Sequence, residues 1–141
     1  MSDLSLFFAG NVAAPQAENF VVSDRFKNKD GKPVPWQIRS VSEEENDEIR
    51  SSTTRKVRDK KTGQMISESN SSEYMAKLVC ACVVFPNLND AELQKSYGVR
   101  GADSLVRKML LSGEYANLLL KIQEINGFDK DINDLADEVK N

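Results

Sequence analysis

The chain has 141 residues, 40% of them hydrophobic and 29% charged, with a formal net charge of -3 at pH 7. That length suits one domain with a modest core, and the balance is that of a soluble globular protein, not a disordered or membrane one. There is no histidine, which removes the commonest acid-base group at neutral pH and argues against a nucleophilic triad.

The N-terminus reads "MSDLSLFFAG", with an acid near the start and no basic stretch, so it does not resemble a secretory signal and the expected location is cytoplasmic. Leu4, Phe7 and Phe8 can share one face of a helical turn or two. "NFVVSDRF" (19–26) and "VPWQIRSV" (34–41) then alternate apolar and polar residues. The alternation places Phe20, Val22 and Phe26 on one face and Val34, Trp36 and Ile38 on the matching face of a second strand. Asp30-Gly31 between them is a hairpin-turn signal. Pro33 and Pro35 cannot donate to a ladder, which predicts that their side of the second strand faces solvent or a sheet edge.

"SVSEEENDEIRSSTTRKVRDKKTG" (40–63) opens with Ser42 and Glu45 at capping-box spacing and runs from acids to bases, as a helix dipole favours. A surface helix is the expectation, with Ile49 and Val57 as a narrow buried seam. Glu43, Glu44 and Glu45 then serve the helix start and not catalysis. The bases Arg55, Lys56, Arg58, Lys60 and Lys61 read as the helix C-terminus and its solvated turn. Nucleic-acid binding is disfavoured, because the chain is acidic overall and no aromatic residues interleave with the bases. "SESNSSE" (67–73) reads as a polar hinge.

The second half is helical. Asn70 and Glu73 cap "YMAKLVCACVVF", the most apolar element and the expected central helix, stopped by Pro86. Its stripe is Tyr74, Leu78, Ala81, Cys82 and Phe85. Its apolar run, Ala76 to Phe85, is about half of the roughly 20 residues a bilayer needs. Cys80 and Cys82, the only cysteines, are expected to pack as small hydrophobes without metal or cofactor. Asn89 and Glu92 repeat the cap spacing before "LQKSYGV". "GADSLVRKMLLSG" follows as a short helix carrying Leu105, Val106, Met109 and Leu110.

In "GEYANLLLKIQEINGF" (113–128), Tyr115, Leu118, Leu119, Ile122 and Ile125 form one stripe, with Leu111 and Leu120 off it. Such a stripe either closes the protein's own core or receives another protein's helix. The number of leucines on adjacent short helices favours some surplus for a partner, and Leu105, Met109, Leu118, Leu119 and Ile122 are the candidate partner-binding residues. Leu118→Asp and Leu119→Asp would then separate binding from folding. The tail "DKDINDLADEVKN" carries five carboxylates against two lysines. Ile132, Leu135, Ala136 and Val139 lie at helical spacing, so a small amphipathic helix is expected to dock on its own bundle or meet a basic partner, with Leu135 a sixth contact residue.

Together these elements predict an α+β fold, an N-terminal β-hairpin packed on a mostly α-helical C-terminal bundle. The expected organisation is a single domain over 1–141, with hairpin and surface helix in 1–66 and the bundle in 67–141.

The stretch "GVRGADSLVRKMLLSGEYANLLLKIQEINGFD" resembles tail assembly chaperones of the XkdN-like group, from long-tailed phages, prophages and phage-like elements of Gram-positive bacteria. The likeness extends to "LSLFFAGN", "PVPWQIRSVSEEENDEIR", "SSEYMAKLVCACVVFPNLND" and "DINDLADEVKN", and departs at Ser112, where a proline is expected. It implies a non-enzymatic chaperone that keeps the helical tape measure protein soluble until tail tube subunits assemble around it, and that is absent from the mature virion. In related systems a frameshift near the gene's end adds a longer product; Lys140-Asn141 is codable by a slippery string. Implied partners are the tape measure protein, an extended form of the chain itself and the tail tube protein, with a homo-oligomer a further possibility and neither nucleic acid nor membrane expected. Two alternatives stand beside it, a structural tail component and a small DNA-binding regulator.

Overall fold

Residues 3–128 are described by the computed structural model. They begin with two 3-10 turns, Leu4–Phe7 and Ala9–Asn11, from which no side chain is buried. Leu4 and Phe7 lie on the first turn and Phe8 is extended between the two, with no core beneath any of them. Strand β1 (Glu18–Phe20) pairs antiparallel with β2 (Trp36–Ile38), Phe20 opposite Trp36, giving the expected hairpin with shorter strands. Gly31 closes the turn at φ +77°, a backbone region that suits glycine. The Asn28 side chain accepts from the backbone N–H of Asp30 (2.9 Å) and of Lys32 (3.0 Å), holding the turn from within.

Ser42 and Glu45 form the predicted capping box at the start of helix α1 (Glu43–Ser52). The helix stops at Ser52, before the bases expected at its C-terminus. Thr53 and Thr54 both donate their hydroxyls to the Arg50 carbonyl, at 3.0 and 2.9 Å, ending the helix on side-chain bonds. The chain then enters a second hairpin, β3 (Thr54–Arg58) with β4 (Met65–Ser69). Two corrections follow. The bases Arg55, Lys56 and Arg58 lie on a strand and not at a helix end, and "SESNSSE" is half strand and half helix start instead of a hinge. The signals were the β-branched Thr53, Thr54 and Val57 and the Asp59–Gly63 turn. There the Asp59 carboxylate accepts from the Lys61 N–H (3.0 Å) and the Thr62 hydroxyl (3.0 Å), and Gly63 takes φ +74°.

Asn70 caps helix α2 (Ser71–Cys82) as predicted, accepting from the Glu73 N–H at 3.1 Å. The helix ends three residues short of the expected Phe85, because Val83–Phe85 forms strand β5 and pairs with β2. Two consecutive valines and the extended preference of a residue before proline account for the switch. The sheet order β1-β2-β5 makes β2 the central strand, so of the two expectations for the proline side the sheet edge is excluded, and Pro33 is exposed to solvent. Pro33 and Pro35 are accommodated because β2 starts at Trp36, after both. Helix α3 (Ala91–Ser96) is capped by Asp90, one residue later than predicted, through its bond from the Leu93 N–H (2.9 Å). Helices α4 (Ala102–Met109) and α5 (Ser112–Ile125) fall where the periodicity puts them.

The core gathers Trp36 and Ile38 from the sheet, Leu78, Val79 and Cys82 from α2, Leu105, Val106 and Met109 from α4, and Leu118 and Ile122 from α5. Helix α2 is the centre, as its composition predicts, although its buried set is Ala76, Leu78, Val79 and Cys82, with Tyr74 and Ala81 half-buried and Phe85 outside the helix. One polar pair joins α1 to this core: Tyr74 donates its hydroxyl to the side-chain carbonyl of buried Asn46. Tyr74→Phe leaves that acceptor without its partner, and a loss of about 1–3 kcal/mol is expected by urea denaturation.

Candidate partner-binding surface

An open groove of about 440 Å³ lies between the first hairpin, the end of β5 and helices α3 and α4. Its apolar lining is Phe26, Val34, Trp36, Phe85, Leu93 and Met109, beside Pro86. Trp36 and Met109 form the buried floor, whereas Phe85 is 49% exposed. Phe26 packs on Trp36 with ring centroids 5.9 Å apart, tilted by 41°. Arg25 and Lys27 make the rim cationic.

Arg25 is held in place from several sides. Its guanidinium lies 5.3 Å from the Phe26 ring centroid, donates to the Met109 carbonyl at 2.9 Å, and forms a two-pronged pair with Glu114 at 2.6 and 3.3 Å. Glu114 also accepts from the Leu111 N–H at 2.8 Å, so one carboxylate ties the first hairpin to the start of α5. The Arg25 guanidinium, then Ser23 and the Leu111 N–H, hold the Glu114 carboxyl at about 2, below its ordinary 4.5. Glu45 is likewise held at about 2, by the Arg39 guanidinium and then by Ser42.

Both carboxyls are more acidic folded than unfolded. Their contribution is present above about pH 4.5 and lost as the pH falls toward about 2. The urea midpoint is therefore expected to fall across that window, and to fall less steeply in a Glu45→Gln, Glu114→Gln double variant.

A second groove of about 340 Å³ is lined by Met75, Tyr115 and Leu119 with Arg107, Ser71 and Ser72. The β3–β4 hairpin presents Lys56, Arg58, Lys60 and Lys61, all exposed and without an ion-pair partner among the described residues. Arg55 is paired with Glu73 at 3.6 Å. Burial pushes the Cys80 thiol up to about 12 and raises that of Cys82, so both stay neutral thiols near pH 7. Among the described residues no group of three or more His, Cys, Asp or Glu side chains gathers to hold a metal.

A family model described as "Phage XkdN-like tail assembly chaperone protein, TAC" matches residues 4–140. The chain belongs to this family. Its role is therefore that of a phage tail assembly chaperone. Two relatives from Bacillus subtilis (strain 168) align over 140 residues, 99% of this chain. "Uncharacterized protein YqbN" is 33% identical with 93% of its length covered, and "Phage-like element PBSX protein XkdN" is 29% identical with 94% covered. The crystal structure of YqbN superimposes with a TM-score of 0.78 at 28% identity, covering 92% of this chain and 99% of that one.

In this tail assembly chaperone the six candidate contact residues separate by burial. Leu105, Leu118 and Ile122 are fully buried, which places them in the core of this conformation and not on an accessible face. Met109 is the floor of the first groove and Leu119 a wall of the second. Leu135 lies outside the described residues. Leu111 and Leu120, read as off the stripe, are 60% and 64% exposed. Sequence reasoning missed Arg25, Phe26 and Phe85 as surface-forming residues. The available signal was Pro86, which forces its predecessor out of the helix.

Proposed function

We propose that this tail assembly chaperone binds the phage tape measure protein and keeps it soluble during tail morphogenesis, acting without catalysis in the host cytoplasm and leaving before the virion matures. The observation that carries the reading is the family match across residues 4–140. The distribution of apolar surface supports it. Phe85, Leu111 and Leu120 are exposed on the body, and Leu4, Leu6, Phe7 and Phe8 on the N-terminal turns, between 49% and 77%. A protein that shields a long amphipathic helix needs open apolar surface of this kind, with charge around it. No helix among the described residues is long and apolar enough to cross a membrane.

Co-expression with the tape measure protein encoded in the same gene cluster tests this reading. The expected result is a soluble tape measure protein that co-purifies with the chaperone or with a frameshift-extended form of it. A tape measure protein left insoluble by both forms, or this protein present in purified tails at tube-like stoichiometry, would overturn it.

A further inference from the structure

The groove over Trp36 has an apolar lining and an uncovered cationic edge. Lys27 stands on its rim, and Lys29 and Lys32 lie on the adjoining turn. All three are exposed and have no ion-pair partner among the described residues. The fitting occupant is an apolar edge bordered by carboxylates. Residues 129–141 of this chain have that chemistry. Ile132, Leu135 and Val139 recur at helical spacing, Asp131 and Glu138 border them on that spacing, and the segment carries five carboxylates against two lysines.

The segment also starts near the groove. Asn126, just after α5, accepts from the Val41 N–H at 2.9 Å and donates to the Cys82 sulfur at 3.6 Å. Phe85 is three residues from Cys82 and Trp36 five from Val41, so the chain contour puts them within about 10 and about 18 Å of this anchor. Phe128, whose N–H bonds the Gln123 carbonyl at 3.0 Å, closes the turn after α5, and residues 129–131 beyond it can span about 10 Å. The other cationic patch, on the β3–β4 hairpin, adjoins the opposite end of α2, where the Asn70 N–H bonds the Thr53 carbonyl. Twelve helical residues, about 18 Å, separate that end from Cys82. Reach therefore favours the Trp36 groove over the hairpin.

We infer that the C-terminal segment seats Ile132, Leu135 and Val139 in the Trp36–Phe85–Met109 groove of its own chain, with its carboxylates against Lys27, Lys29 and Lys32. The bound segment covers Phe85, so the isolated chaperone hides this apolar groove until a competing apolar edge displaces it. Zero-length carbodiimide coupling on the full chain, with mass-spectrometric mapping, tests this. The mixture should contain isotope-labelled and unlabelled protein so that links within one chain are told from links between chains.

The expected links join Lys27, Lys29 or Lys32 to Asp131, Asp134, Asp137 or Glu138 within one chain. They should fall to background in an Ile132→Ser, Leu135→Ser variant whose thermal midpoint is unchanged. Salt at about 1 M, where the Debye length is about 3 Å, should reduce them. Trp36 is the only tryptophan, so its single indole amide resonance reports the groove and should shift in the same variant. An unmoved resonance, or links that reach only Lys56, Lys60 or Lys61 or only another copy, overturns the contact.

Discussion

Leu118→Ala is expected to lower the unfolding free energy by about 2–5 kcal/mol, and Leu120→Ala by less than about 0.5 kcal/mol, when both are followed by urea denaturation. The two leucines lie two positions apart on one helix with the same intrinsic preference for it, so the contrast isolates burial. Leu118 has no exposed surface and lies in the core on the helix that packs against α2, whereas Leu120 is 64% exposed. Deleting the first side chain costs its transfer free energy and leaves a cavity in a close-packed interior. Deleting the second changes contact with water. Leu118→Asp adds an unpaired carboxylate to that interior and is expected to unfold the protein, so it cannot report on partner binding alone. Leu119→Asp, half-exposed in the second groove, remains usable for that purpose.

Trp36→Ala is expected to cost about 3–5 kcal/mol, read by far-ultraviolet circular dichroism because the variant has no tryptophan left to follow. The indole is 2% exposed at the centre of the sheet and joins Phe26 of the first hairpin to the helical core. Its loss hollows the core and the groove floor together. Phe85→Ala, on the same groove but 49% exposed, should cost only about 1 kcal/mol because half of its surface is already in water. If Trp36→Ala instead matched Phe85→Ala, the sheet would not be a structural partner of the helices.

Helices α2, α4 and α5 were legible because their apolar residues recur every three or four positions and their partners lie nearby in sequence. The same periodicity separates Leu118 and Ile122, which are buried, from Leu111 and Leu120, which are not. The hairpin turn was legible for a local reason as well, the Asp30-Gly31 pair. Strand β5 was not, since Val83 to Phe85 continue an apolar run and only pairing with Trp36–Ile38, more than forty residues earlier, makes them a strand. The β3–β4 hairpin was hidden by charge order, which mimics a helix dipole while the β-branched Thr54 and Val57 extend the backbone. The groove was the least visible feature. Arg25, Phe26, Trp36, Phe85 and Met109 come from four separate places in the chain, and nothing in their local spacing announces that they meet.

The β3–β4 hairpin has a further consequence. It is an antiparallel ladder of five residue pairs, yet every residue of β4 is exposed and only Thr54 and Val57 of β3 are half-buried. An isolated two-stranded ladder of that kind is marginal in water. Its amides are expected to exchange with solvent through a local opening that leaves the core intact, in seconds or less while those of Leu78 and Leu118 wait for global unfolding. The hairpin can therefore open and close as its own cooperative unit, with a stability set apart from that of the body that carries it.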